Sequence, residues 1–257
     1  MCEQKADDVS CFVTCVKRLG RMKIEEINIK QVMDKLGEVP RIYQVEAQFQ
    51  FELAWELQKL IGDDGQVLLE VGMCTRKANA EKKVKRKRFY SDIILKGNDN
   101  SYIVIELKYK KKAAVINGIE LTSDYASDEG RYDYLWDIRR IELLKECNND
   151  DYEYTRNLGS FRGGYAIILT NDMGYWNKIR DKEGKTVDAL FTIGDGDSIQ
   201  GRVDWNVDIK KPWMKSRPAF ELSNSYCFEW LPYYGADKEA SKEETCTFKY
   251  LITKIDA

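Results

Sequence analysis

The chain has 257 residues, 43% of them hydrophobic, and its 41 basic and 43 acidic side chains leave a formal net charge of −2. It contains no histidine, which excludes Ser-His-Asp and Cys-His catalysis, nucleases with a histidine general base, and histidine-bound zinc. Seven cysteines without a CxxC pair speak for a reducing, cytoplasmic compartment, so carboxylate, lysine and hard-metal chemistry is what remains.

No run of about 18 apolar residues is present to span a membrane. The first ten residues carry acids and lack the apolar stretch of a secretory signal. Residues 1–40 read as a helical extension packed on the core. Val9, Phe12, Val13, Val16 and Leu19 make one helical face, and a second short helix runs from about Ile29 to Leu36 and stops at Gly37. Pro40 then opens a core domain spanning residues 41–257.

The segment 42–61 is an amphipathic helix whose apolar face holds Phe49, Leu53, Leu57, Leu60 and Ile61. Glu46 and Gln50 fall in the middle of that face, while Glu52 and Glu56 are expected in solvent. A glutamate on a buried face costs free energy unless it is paired or binds a metal. Helix physics alone leaves Glu46 open between a metal role and N-terminal dipole compensation. Residues 66–73 follow as a strand. Its Glu70 shares a face with Leu68 and either extends an acidic cluster or pairs with the basic loop that comes next.

That loop, residues 76–88, holds eight Lys or Arg and one Glu. Such runs are commonly solvated loops or localisation signals. This one leads straight into the next strand, so Lys82, Lys83, Lys85, Arg86, Lys87 and Arg88 are placed to track a phosphate backbone. RFYSDIIL and SYIVIELKY are rich in β-branched and aromatic residues, and the KGNDN between them has turn chemistry. Side chains alternate along a strand, so Glu106 and Lys108 share one face and Ile103, Ile105 and Leu107 the other. Asp92 interrupts the apolar run of the first strand. Two carboxylates and a lysine can thus converge, the arrangement needed to hold a divalent cation and a water beside a phosphodiester.

Asp92, a 13-residue gap and then Glu106-Leu107-Lys108 resemble the PD-(D/E)xK nuclease superfamily, the restriction-endonuclease-like fold. The likeness covers about Ile42 to Thr170 and follows the order helix, strand, Asp strand, Glu-x-Lys strand, helix, strand. Ser91 stands where the motif has its proline. The resemblance implies an α/β fold, a central mixed sheet flanked by helices, and a metal-dependent endonuclease acting on nucleic acid, DNA in preference to RNA. It implies Asp92, Glu106, Lys108 and Glu46 as catalytic residues. The metal ligands would be Asp92, Glu106 and the Leu107 carbonyl, with Glu46 direct or through water. Gln50, Glu70 and Asp137 would support them. Hard oxygen ligands select Mg²⁺ or Mn²⁺ over Zn²⁺. Cutting two strands asks for two active sites, which a homodimer would supply.

Farther on, RYDYLWDIRRIELLKEC is a helix with Tyr134, Ile138, Ile141 and Leu144 buried and Asp137 on the same side. A salt bridge to Arg139 or Arg140 is favoured there over direct ligation. GGYAIILT, 163–170, suits a central strand covered on both faces, and Asn171-Asp172 caps a short helix containing Tyr175 and Trp176. TIGDGDSIQG reads as a turn. RPAFELSNSYCFEWLPYY and CTFKYLITKI read as two late strands extending the sheet antiparallel. Trp205, Trp213 and Trp230 are expected in the core rather than on a base-stacking platform. The rival readings are a catalytically silent nucleic-acid-binding or scaffold protein that kept the fold, and a carboxylate–metal enzyme acting on a small phosphorylated ligand.

Overall fold

A computed structural model describes residues 23–39, 41–75, 87–124, 126–146, 158–177, 185–206, 208–209, 211–234 and 246–257, with only the backbone described at 74, 75, 87 and 88. The helical face Val9–Leu19, Pro40 and the basic residues Lys82, Lys83, Lys85 and Arg86 lie outside the described residues. The elements in order are α1 (Ile29–Glu38), α2 (Glu46–Ile61), β1 (Gly65–Thr75), β2 (Lys87–Gly97), β3 (Ser101–Lys110), β4 (Ala114–Ile116), β5 (Ile119–Leu121), α3 (Ser127–Glu146), β6 (Ser160–Thr170), β7 (Ser198–Val203), β8 (Phe220–Cys227), β9 (Trp230–Tyr234) and β10 (Phe248–Ile255). Six of the strands make one mixed sheet in the order β1-β2-β3-β6-β10-β9. Its pairings are antiparallel except β3 with β6, which run parallel. A parallel pair needs a crossover connection, and α3 lies in it. The fold is α/β, a mixed central sheet flanked by helices.

Alternation along β3 and β6 divides the core in two. Tyr102, Val104, Ala166 and Ile168 face the layer that contains α3. Ile103, Ile105, Leu107, Ile167 and Leu169 face the layer of α1 and α2. Both strands are covered on both sides, which is why their sequences read as nearly unbroken apolar runs. The α3 layer also takes in Trp205 and Trp230, both 4% exposed, as core residues. Trp205 stacks on Tyr132 at 5.0 Å, and Trp213 meets Trp205 edge-on at 4.8 Å.

Several local expectations change. Helix α1 runs through Gly37 to Glu38. Glycine stands there because a Cβ would lie 2.5 Å from the Tyr233 carbonyl oxygen of β9. Glu56 is buried, not solvated, between Lys35 at 2.8 Å and Lys59. Helix α1 packs along that flank of α2 and its lysine covers the carboxylate. Leu60, near the helix end, is exposed. After Asn171 the described chain makes hydrogen-bonded turns rather than a helix, with Asp172 accepting from the Gly174 amide at 3.0 Å. The stretch around Ser198 continues into β7, which pairs with β8 in a separate two-stranded ribbon. RPAFELSNSYCFEWLPYY therefore splits, and only β9 joins the main sheet with β10.

Glu142 fastens that ribbon to α3. It is 1% exposed, and its carboxylate accepts from the Ser223 and Asn224 amides at 2.9 and 3.0 Å and from the Tyr226 hydroxyl at 2.8 Å. Glu142→Gln turns one acceptor oxygen into a donor facing donors. We expect a loss of about 2 kcal/mol, seen as a lower urea midpoint at unchanged slope.

Candidate functional site

The site begins with an interruption in the sheet. The β1–β2 ladder pairs Leu69 with Ile93 and Val71 with Ser91, but skips Glu70 and Asp92 between them. Glu70 has φ +51°, a left-handed conformation that side chains other than glycine seldom adopt. Alternation changes phase there: Phe89 packs into the α3 layer, as does Ile94, while Ile93 and Leu95 face α2. The β2–β3 ladder stops at the same point, with Ile93 opposite Ile105.

Beyond that stop, alternate amides on the parted edge of β3 and just past it are satisfied by carboxylates instead of strand carbonyls. Asp92 Oδ2 accepts from Leu107 N at 2.6 Å, Glu46 Oε2 from Tyr109 N at 2.6 Å, and Asp124 Oδ2 from Lys111 N at 3.0 Å. Buried amides need acceptors, so opening the sheet recruits side chains to supply them. Glu46 is the first residue of α2. Its approach is fixed because Tyr109 Oη donates to the Tyr43 carbonyl at 2.6 Å and Lys111 Nζ to the Gln44 carbonyl at 2.7 Å. Gln50, one turn along, donates to Glu70 Oε1 and to the Asp92 carbonyl, each at 2.8 Å. It thereby ties the left-handed residue to the strand it faces.

On the α3 side, Glu106 is completely buried. Its Oε1 accepts from Ser91 Oγ at 3.0 Å and its Oε2 meets Arg140 Nη2 at 2.5 Å. The same Arg140 nitrogen lies 2.6 Å from Asp137 Oδ1. Asp137 Oδ2 pairs with Lys108 Nζ at 2.6 Å, and Lys108 also donates to the Leu107 carbonyl at 3.0 Å. Burial pushes the Asp92 carboxyl up to about 6, with Lys108 opposing. Burial also raises Glu106 well above the carboxylate range, against Arg140 and with help from Asp137 and Asp92. Burial works against the Lys108 ammonium, but Asp137, Glu46 and Asp92 outweigh it and hold its pKa above the ordinary lysine value.

The structure thus brings Asp92, Glu106, Lys108, Glu46, Leu107, Gln50, Glu70 and Asp137 into one neighbourhood. Lys87 and Arg88 begin β2, paired with Thr75 and Cys74. Arg140 emerges as a central member. The sequence offered only the helical spacing that lets it reach Asp137.

No protein-family model matches the chain, and no curated protein does. A solved structure described as "Crystal structure of SSO0001" is similar at 15% identity over 56% of this chain, with a TM-score of 0.23. The match spans 62% of that structure's own length. A likeness this slight carries no argument, so the site stands on its own geometry.

Among the described side chains, the carboxylates of Asp92, Glu106, Asp137 and Glu46 face two cations, Lys108 and Arg140. That leaves two formal negative charges in excess, and the oxygen donors suit a hard divalent ion. The arrangement does not. Among the described residues no three acidic side chains are grouped to hold one ion. Arg140 spans two of the carboxylates, and Leu107 N draws on a third.

Proposed function

We propose that the chain is a divalent-cation-dependent nuclease that hydrolyses nucleic-acid phosphodiesters, DNA in preference to RNA. One observation supports this reading most. Asp92, Glu46, Glu106 and Lys108, drawn from α2, β2 and β3, meet at the single stretch where β2 and β3 part, with carboxylates outnumbering cations. Mg²⁺ or Mn²⁺ would be held by Asp92, the Leu107 carbonyl and Glu46, with Glu106 once Arg140 has left it. Purified protein incubated with plasmid, linear and single-stranded DNA and with RNA should cleave with Mg²⁺ or Mn²⁺ and stop with EDTA. Intact substrates under every condition would remove the proposal.

The basic run leads in sequence into β2, whose first residues are Lys87 and Arg88, and would offer the polyanion its phosphate contacts. Replacing Lys82, Lys83, Lys85, Arg86, Lys87 and Arg88 with neutral residues should weaken DNA binding. The slope of log affinity against log salt should flatten by about 0.9 for each phosphate that the variant no longer neutralises. Unchanged binding across a salt series would leave the run as a solvated loop.

The second reading, a catalytically silent nucleic-acid-binding protein, is favoured by the complete burial of Glu106 against Arg140. Binding without cleavage in the same assays is its expected result.

A further inference from the structure

We infer that Arg140 is a tethered counter-cation that holds Glu106 to Asp137 and away from the proposed ion ligands Asp92, Glu46 and the Leu107 carbonyl, so that recruiting Glu106 to an ion and releasing this guanidinium are one event. This rests on the reading of the site as ion-dependent.

The contact geometry carries the inference. Arginine–carboxylate pairs are frequently bidentate, with two parallel N–H donors on one carboxylate, as Arg217 makes with Asp133. In Arg140 one nitrogen, Nη2, is shared between Glu106 Oε2 at 2.5 Å and Asp137 Oδ1 at 2.6 Å. It bridges carboxylates from β3 and α3 as a metal ion bridges its ligands. The fork is left unused: Nε is buried without a hydrogen-bond partner among the described residues. A buried orphan donor is costly, so this is a poorer pairing than arginine can make.

The surroundings are suited to its departure. Ser91 Oγ stays on the other Glu106 oxygen at 3.0 Å, and Lys108 stays on the other Asp137 oxygen at 2.6 Å. Both carboxylates therefore keep a partner and an orientation when Arg140 leaves. The guanidinium also lies 5.1 Å from the centroid of the Phe89 ring, a contact independent of either carboxylate. Glu106 is fully buried and needs a cation nearby to remain charged. Arg140 supplies a cation to Glu106 without an ion, and it opposes the effect of burial on that carboxyl only in part.

The test is Mn²⁺ binding to the full-length chain by calorimetry, with thermal unfolding recorded with and without Mn²⁺. Arg140→Gln removes the competing charge and should bind Mn²⁺ about tenfold tighter or more than wild type, a difference of about 1.4 kcal/mol. It should also unfold at a lower temperature than wild type in EDTA and gain more from Mn²⁺. Arg140→Lys keeps a charge but not the planar group, should fall between the two, and decides the matter if the glutamine variant does not fold. Wild type that binds Mn²⁺ as well as or better than both variants would overturn the inference and leave the ion-dependent reading intact. No Mn²⁺ binding by any of the three would remove that reading, and this inference with it.

Discussion

Asp92→Asn is expected to lower the cleavage rate by on the order of 10³-fold while making the folded chain more stable at neutral pH. The two effects share a cause. Asp92 Oδ2 accepts the Leu107 amide at 2.6 Å, and an asparagine oxygen can accept the same bond. The fold then loses only a charge, in a place where burial holds the carboxyl at about 6 against an ordinary value of 3.8. A carboxyl raised in this way binds its proton more tightly in the folded chain than in the unfolded one. Its contribution to stability is complete below about pH 3.8 and is lost as pH rises through about 6. Wild-type stability relative to Asp92→Asn should therefore fall across that window and level off above it, as read from urea unfolding at a series of pH values. Parallel pH profiles for the two proteins would show that the strain does not reside at Asp92. A gain in stability with no change in cleavage would separate the residue from the chemistry. Stability given up at one residue and recovered when it is neutralised is the usual mark of a working group.

Lys108→Ala should still fold and bind Mn²⁺ and DNA, yet turn over on the order of 10²-fold more slowly or worse. Lys108 Nζ sits 2.6 Å from Asp137 and 3.0 Å from the Leu107 carbonyl, beside the carboxylates that crowd the parted edge of β3. Its charge would favour hydroxide over water there and offset negative charge developing on a phosphate in the transition state. The structural alternative is a brace, and the structure makes it specific. The partner is Asp137, rather than Glu106 or Asp92. Asp137 retains Arg140 at 2.6 Å when the lysine is removed, so the carboxylate is not orphaned and the stability cost should stay near about 1–2 kcal/mol. Rates measured beside unfolding midpoints and Mn²⁺ affinity distinguish the roles. If stability or affinity falls in step with rate, Lys108 is a brace. If cleavage proceeds at the wild-type rate, the main support for the nuclease proposal is gone.

The sequence by itself determined the central strands β1, β2, β3 and β6 and the faces of β3 and α3, but not the short strands β4, β5 and β7. Period two put Glu106 and Lys108 on one side of β3, and period 3.6 put Asp137 among the buried residues of α3; both are found there. It also determined the α/β order, since β-branched runs flanked by turn residues alternate with amphipathic helices. Periodicity fixes a direction but not what lies across from it. Arg139 and Arg140 were equally within reach of Asp137 in sequence. Packing of α3 on the sheet turned Arg140 toward Glu106 and sent Arg139 to Glu142 and Glu146. Glu56 looked solvated because nothing local announces that α1 will lie against it. The left-handed Glu70 and the parting of β2 from β3 were equally hidden, since a glutamate in a strand pattern carries no sign of a positive φ. Only the tertiary structure decided these points, because each depends on a partner distant in the chain, and local propensity carries no information about that partner.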